Sequence, residues 1–215
     1  MSADDNKSSE NGGIKTVKPS CSDFQARKAS GFVTLPPVGA YVAEIQGVRF
    51  KAKNEKENVF RDTIEVMIEI TEGDYKDQYH KVLENQRERF GDDVKYKGVF
   101  RLIPYTDDDE DWRKRAFQSN IWCVQESNPG YKWDWDESKL KGKKIGINVR
   151  QYLYTYNGKD YETTEIAKFE TVQDVKDGKV REMRPRDRRE NPNADVSFDG
   201  QNFTDVSGSE INVPW

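Results

Sequence analysis

Hydrophobic and polar residues alternate most clearly between Ile145 and Tyr156, where the pattern predicts a β-strand. Successive side chains of a strand point to opposite faces of its sheet. One face is therefore apolar, and the other carries Arg150, Tyr152, Tyr154 and Tyr156. Such tyrosines can stack on flat rings of another molecule, but they also stabilise ordinary sheets through cross-strand pairs. The alternation alone leaves both interpretations open.

Other alternating stretches predict the neighbouring strands. We expect strands at Tyr41–Phe50, with a bulge at Gly47, at 63–70, near Gln78–Leu83 and, after an Asn157-Gly158 turn, at Tyr161–Phe169. Residues 98–104 fit either a strand or the entry to a helix. Short connections of this kind join antiparallel strands, so the pattern indicates a sheet built from hairpins.

In the range Asp111–Ser127, the hydrophobic residues recur at helical spacing and no longer alternate with polar ones. The acidic run 107–111 suits the start of this helix, because acidic groups complement the helix dipole there. A calcium site is a less favoured interpretation of that run, since calcium loops interleave their ligands with glycine. A second, short helix is expected around Leu140, capped by Asp136 or Ser138. The stripe predicted to be buried on the first helix is Trp112, Ala116, Phe117, Asn120, Cys123 and Val124.

About five strands, with a helix ahead of the last hairpin, predict a mainly β domain with one or two helices. The expected architecture is an OB-like small β-barrel flanked by disordered termini. We place a disordered N-terminal segment at 1–30, an OB-like nucleic-acid-binding domain at 31–180 and a disordered tail with a hydrophobic C-terminal tip at 181–215.

Composition agrees with a folded domain that occupies only part of the 215-residue chain. Hydrophobic and charged residues each make up 34%, which is too polar for the whole chain to be packed. No apolar run is long enough to span a bilayer and no signal-peptide core follows Met1, so we expect a cytoplasmic protein. With the two cysteines far apart, one histidine and no paired Cys or His spacing, we expect no disulfide, metal or cofactor.

Charge is segregated along the chain although the net charge is -4. No acidic residue occurs from Ser138 to Lys159, whereas six lysines and arginines do. A cationic strand face with aromatic rings is suited to unpaired bases that stack while lysines follow the phosphates. The predicted nucleic-acid site comprises Arg150, Tyr152, Tyr154 and Tyr156 as the stacking face and Lys141, Lys143 and Lys144 as phosphate contacts. Trp133 is a weaker candidate, because covering one end of the core is the favoured interpretation for at least one of Trp133 and Trp135.

The C-terminal region has its own charge pattern. Arginines are frequent in 181–189, where they could contact phosphates or belong to a solvated linker. No lysine or arginine follows Arg189, and the acidic sequence ends in the hydrophobic tip Val213, Pro214 and Trp215. A terminal aromatic residue of this kind is typical of a peptide that anchors in a pocket of a partner.

A β-rich domain, a polar linker and an acidic tail closing on Val213-Pro214-Trp215 resemble a bacterial or phage single-stranded-DNA-binding protein. In that family the tip is Pro-Phe preceded by acids; here Trp215 replaces Phe and Asn212 stands where an acid is usual. The stretches Leu35–Tyr41, Glu72–Lys76 and Glu126–Tyr131 also resemble small proteins of phages and mobile elements that are supposed to bind single strands. The resemblance implies an OB domain that binds single-stranded DNA in replication or recombination and recruits the enzymes of those processes through its tip.

Two other function classes stay open. The aromatic face could bind protein, as in a phage accessory factor or an inhibitor of a host enzyme. A carboxylate-metal nuclease would use Glu65, Glu69 and Asp62, but we expect glutamates that alternate with isoleucines to lie on the solvent side of a strand. No phosphate loop, nucleophile elbow or kinase signature occurs, so we predict a noncatalytic protein. The oligomeric state is open, and a homo-oligomer is one option.

Overall fold

Long segments in which hydrophobic and polar residues alternate form strands of one mixed β-sheet. The computed structural model describes residues 31–54 and 60–189. In chain order the elements are β1 (Gly39–Lys51), β2 (Thr63–Ile70), α1 (Gln78–Phe90), β3 (Val99–Leu102), α2 (Asp111–Ser127), a 3-10 helix (Glu137–Leu140), β4 (Lys144–Tyr156), β5 (Lys159–Glu170), α3 (Val172–Lys176) and β6 (Arg186–Asp187). The prediction of a mainly β domain is confirmed, with three α-helices rather than one or two.

The sheet runs in the order β3-β2-β1-β4-β5, and each neighbouring pair is antiparallel. Strand β1 pairs with β4 only from Gly39, opposite Val149, to Glu44, opposite Lys144. Residues 150–156 of β4 therefore extend past the start of β1, and there the short strand β6 lies parallel to β4 with Arg186 opposite Tyr152. The outer half of the β4–β5 hairpin is thus held by β6 instead of β1.

The two strands at the ends of this order contact each other, so the sheet is strongly curved. The rings of Phe100 in β3 and Phe169 in β5 have their centroids 4.7 Å apart. Helix α2 packs beside them: the Asn120 side-chain oxygen accepts a hydrogen bond of 2.8 Å from the Phe169 amide. The fully buried side chains at the centre include Ile45, Ile68, Leu102, Ile145, Ile147, Val149 and Phe169.

Several local predictions are confirmed. Helix α2 has the predicted bounds, and the register of β1 shifts between Ile45 and Gly47, as expected for a bulge. Asn157 and Gly158 both have positive φ, 50° and 72°, which a tight two-residue hairpin turn requires. The Asp136 side chain caps the 3-10 helix by accepting a hydrogen bond from the Ser138 amide.

The predicted strand near Gln78–Leu83 is wrong, because these residues form the first half of α1. Tyr79, Val82 and Leu83 are buried at helical spacing. The start of the helix is held by the Glu69 carboxylate of β2, which accepts hydrogen bonds from the amides of Tyr79 (3.1 Å) and His80 (2.8 Å). A carboxylate of a neighbouring strand therefore fixes where this 13-residue helix begins.

Candidate nucleic-acid interface

The predicted stacking residues lie on one face of the β4–β5 hairpin. Tyr154 is directly opposite Tyr161 in the strand register, and Tyr156 is opposite Lys159. Directly opposite residues share a face of the sheet, so β5 adds Tyr161 to the three tyrosines of β4. We call Tyr152, Tyr154, Tyr156 and Tyr161 the tyrosine row.

Three rings of the tyrosine row stack on one another. The centroids of Tyr152 and Tyr154 are 5.3 Å apart with 19° between the planes, and those of Tyr154 and Tyr161 are 5.5 Å apart with 20°. Tyr154 therefore has neighbours on both sides and is half-buried. Tyr156 and Tyr161 are 62% and 42% exposed, so they are the members best placed to receive a ring from outside.

Arg150 does not face solvent as the sequence analysis expected. It is only 4% exposed, and its Nε donates to Glu165, directly opposite in the register, at 2.8 Å. Arg186 of β6 is also buried, lies 3.4 Å from the other Glu165 oxygen and covers the Tyr152 ring at 5.4 Å. Burial of a charge requires such a partner, so Arg150 supports the base of the tyrosine row rather than its open end.

The two faces of the hairpin differ in charge. On the tyrosine side, the outer residues include Lys159. Among residues 150–165, Glu165 is the one acid on this side, and two arginines bind it. On the reverse side, Asp160 is opposite Thr155 and Glu162 is opposite Leu153. A polyanion would therefore be attracted to the tyrosine side and repelled by the reverse side.

The predicted phosphate contacts are separated from the tyrosine row. Lys144 begins β4, ten residues before Tyr154, which corresponds to about 33 Å of extended strand. Helix α3 packs between them, since a Cβ added at Gly146 would be 2.6 Å from a Val175 methyl carbon. Lys141 is exposed, and Lys143 lies 4.8 Å from the centre of the Tyr131 ring. The structure thus divides the predicted site into a tyrosine end and a lysine end.

Asn128 fixes the start of β4 at the lysine end. Its side chain donates to the Lys144 carbonyl at 2.7 Å and accepts from the Lys144 amide at 3.0 Å. The Asn128 side-chain nitrogen also donates to the Val124 carbonyl at 2.7 Å. Asn128, which directly follows α2, therefore positions the backbone at the start of β4.

Trp133 covers part of the core, which was the alternative interpretation of this residue. It is half-buried and meets the Phe117 ring edge-on at 5.9 Å. Trp135 is 55% exposed and stacks on Phe117 with 7° between the planes, and Tyr105 lies 5.7 Å from both rings. Trp135 adopts φ 68°, a region that bulky residues rarely occupy. No local pattern in the sequence predicts this cluster, because residues from three segments form it.

Glu65 and Glu69 are not exposed to solvent, contrary to the expectation from the sequence; neighbouring side chains cover both, and each is only 3% exposed. Glu65 is surrounded by Arg49 (2.6 Å), Arg101 (3.2 Å) and Lys51 (3.4 Å). Burial would raise the pKa of Glu65, but the hydrogen bond from Arg49 and the charges of all three cations outweigh it and hold that pKa below its ordinary value. Both carboxylates are engaged by protein donors, which gives the nuclease interpretation no support.

The remaining predicted residues lie at the C-terminal end. In the segment 181–189, the guanidinium of Arg189 pairs with Asp187 at 2.5 Å and the Arg181 carbonyl accepts from the Asn148 side chain at 2.9 Å. Val213, Pro214 and Trp215, together with segments 1–30 and 190–215, lie outside the described residues.

Comparison with known features and known families gives no identification. Within residues 31–54 and 60–189, no helix is long and apolar enough to cross a membrane, and no three His, Cys, Asp or Glu side chains are grouped as metal ligands would be. No protein-family model matches the chain, and no curated protein is similar to it.

Proposed function

We propose that the chain is a noncatalytic single-stranded-DNA-binding protein of phage or mobile-element replication or recombination. The observation that carries this proposal is the tyrosine row, with Tyr156 and Tyr161 exposed beside Lys159 on the less acidic face of a projecting hairpin. Bases stack on exposed aromatic rings whatever their sequence, because every base has a flat π-face. Duplex DNA cannot use this surface in the same way, since its bases are already stacked.

The connectivity supports an OB-like barrel. The hydrogen-bonded order β3-β2-β1-β4-β5, the contact between β3 and β5 and the position of α2 between β3 and β4 all fit a five-stranded, partly open barrel. In OB-folds the ligand lies on strands 2 and 3 between the loop joining strands 1 and 2 and the loop joining strands 4 and 5. The tyrosine row belongs to the second of these connections.

The outer side of β1, β2 and β3 supplies cations for the phosphates. Arg49, Glu65 and Arg101 are directly opposite one another across the three strands, with Lys51 beside them. One carboxylate is shared by three positive groups, so this patch has a net positive charge. It lies on the strands that contact the ligand in OB-folds.

The proposal also includes the C-terminal tip. Val213, Pro214 and Trp215 would dock into a pocket of a replication or recombination enzyme and bring that enzyme to the bound strand. The acidic residues before the tip would keep the tail away from the phosphates of the strand.

The test is the affinity of the full-length protein for a labelled oligo-dT, measured by fluorescence anisotropy at two salt concentrations. If Lys159, Arg49, Lys51 and Arg101 each contact one phosphate, a fourfold rise in salt should weaken binding about 50-fold, because the slope for single strands is about -0.7 per phosphate. A duplex of the same length serves as the control and should bind much more weakly. Absence of binding to oligo-dT at low salt would contradict the proposal and favour the protein-interaction module.

A further inference from the structure

Four lysines lie where the segment that follows α2 meets the start of β4. We call them the lysine cluster: Lys132, Lys141, Lys143 and Lys144. Lys143 is half-buried with its Nζ 4.8 Å from the centre of the Tyr131 ring, and the other three are exposed. The Asn128 side chain bonds both backbone groups of Lys144, at 2.7 and 3.0 Å. The two segments that carry the lysines are thus held side by side, so the four residues form one patch.

The charge of the lysine cluster is not neutralised by acids nearby. Within the described part of the chain, no carboxylate is within ion-pair distance of any of the four lysines. Asp134 and Asp136, in the loop between the two segments, both pair with Lys139. Glu44 of β1, opposite the first residue of β4, accepts a hydrogen bond of 3.3 Å from the Gln46 side chain. The positive charge of the lysine cluster is therefore available to an anion from outside.

The lysine cluster and the tyrosine row lie on the same side of the sheet but are well separated. Lys144 and Tyr154 are both even-numbered residues of β4, so their side chains point to the same face. About 33 Å of strand lies between them. Helix α3 covers this stretch at Gly146, where an added Cβ would be 2.6 Å from a Val175 methyl carbon. A single strand on the tyrosine row therefore has no open path along β4 to the lysines.

The lysine cluster offers positive charge without a free aromatic ring. Tyr131 is half-buried, and Lys143 lies over its ring. The exposed Trp135 stacks on Phe117, which precedes Asn128 by eleven residues, or about 16 Å of helix. Lysine ammonium groups contact phosphates as point charges, and such contacts do not read bases. This surface suits duplex DNA, whose bases are stacked inside and whose backbones carry one negative charge per about 1.7 Å of axis.

We propose that the lysine cluster binds the duplex part of a junction at which double-stranded DNA continues into the single strand held by the tyrosine row. The distance between the two surfaces is close to one turn of duplex, about 34–36 Å. The inference rests on the proposed function and adds a substrate class to it, a duplex with a single-stranded tail. Nonspecific phosphate contacts alone give a Kd of about 10⁻⁴–10⁻⁶ M, which agrees with the weak binding expected for a duplex without a tail.

The experiment measures the affinity of the full-length protein for three labelled DNAs by fluorescence anisotropy. These are a twelve-residue oligo-dT, a twelve-base-pair duplex and the same duplex with a twelve-residue oligo-dT tail. When the tail is bound, the duplex is presented to the lysines at an effective concentration in the millimolar range. The tailed duplex should therefore bind at least about tenfold more tightly than oligo-dT.

The decisive variant is Lys141→Gln with Lys144→Gln, which removes two charges from the lysine cluster. It should bind oligo-dT like the natural sequence but lose most of the tenfold advantage of the tailed duplex. Its salt slope on the tailed duplex should fall by about 2, because each duplex phosphate contributes about 0.9. The matched control, Lys81→Gln with Arg87→Gln, removes two charges from exposed positions of α1 and should keep the advantage. Lys132→Gln, with circular dichroism as the folding check, is the second variant if the first fails to fold.

The outcomes separate this inference from the proposed function. An unchanged advantage in the Lys141 and Lys144 variant, or no advantage with the natural sequence, would overturn the junction proposal while oligo-dT binding still supported the proposed function. Absence of oligo-dT binding would contradict both. An equal loss of the advantage in the α1 control would indicate a general effect of net charge and would also overturn the junction proposal.

Discussion

Replacing Tyr156 and Tyr161 together by threonine should weaken oligo-dT binding about 30-fold or more, because stacking is worth about 1–3 kcal/mol per base. These two rings are the exposed members of the tyrosine row, so a base can reach them without displacing another side chain. Threonine keeps a high strand propensity but has no ring. The change should therefore remove the stacking surface and leave the hairpin in place. Anisotropy with labelled oligo-dT gives the affinity, and thermal unfolding gives the stability.

The matched control is Phe90→Ala with Trp122→Ala, which removes two comparably exposed aromatic side chains from α1 and α2. Neither residue belongs to the hairpin, so the control should bind oligo-dT as tightly as the natural sequence. Equal affinity of the threonine variant and the natural sequence would rule out the tyrosine row as the stacking surface. A loss of the same size in both variants would instead indicate a nonspecific effect of exposed aromatic groups.

Replacing Glu69 by alanine should reduce the free energy of unfolding by about 2–6 kcal/mol, because two buried amides lose their acceptor at about 1–3 kcal/mol each. Its two oxygens accept hydrogen bonds from the amides of Ile70, Tyr79 and His80 and from the Tyr96 hydroxyl. Alanine would leave the buried amides of Ile70 and Tyr79 without this acceptor, and each unsatisfied group costs about 1–3 kcal/mol, whereas the Tyr96 hydroxyl would keep its bond to the Ile68 carbonyl. It would also remove the negative charge at the start of α1. Urea unfolding followed by circular dichroism measures the effect.

Two further substitutions give stabilities with which that of Glu69→Ala can be compared. Glu84→Ala changes an exposed glutamate of the same helix and should alter stability by no more than about 0.5 kcal/mol. Glu69→Gln keeps one acceptor oxygen and should fall between Glu84→Ala and Glu69→Ala. If Glu69→Ala proved as stable as Glu84→Ala, the carboxylate would not hold the start of α1.

The sequence predicts those helices and strands that are long enough for their hydrophobic pattern to repeat several times. Strands β1, β2, β4 and β5 and helix α2 are long enough to show it, and their predicted positions agree with the structure. Helix α1 was missed because its first turn is held by Glu69, which belongs to another strand. Local periodicity does not contain such a contact. The burial of Glu65 has the same explanation, since the three cations that surround it come from β1 and β3.

More of the candidate site can be predicted from the sequence than the alternating pattern alone indicates. A two-residue turn at Asn157 and Gly158 sets the hairpin register, which places residue 161 opposite Tyr154 and residue 165 opposite Arg150. The turn alone could therefore have identified Tyr161 as a member of the tyrosine row and Glu165 as the partner of Arg150. The contact of Arg186 with Tyr152 could not have been found in this way, because the intervening chain has no regular register.

The distribution of aromatic residues has an optical consequence. The tryptophans of the described chain are Trp112 and Trp122 on α2 and Trp133 and Trp135 just before the 3-10 helix, whereas the β4–β5 hairpin carries four tyrosines and no tryptophan. A ligand on the hairpin should therefore change phenol emission, to which four of the ten tyrosines contribute from this site, more than it changes the emission of these four indoles. The unlabelled protein thus carries an intrinsic signal that can follow binding at the hairpin.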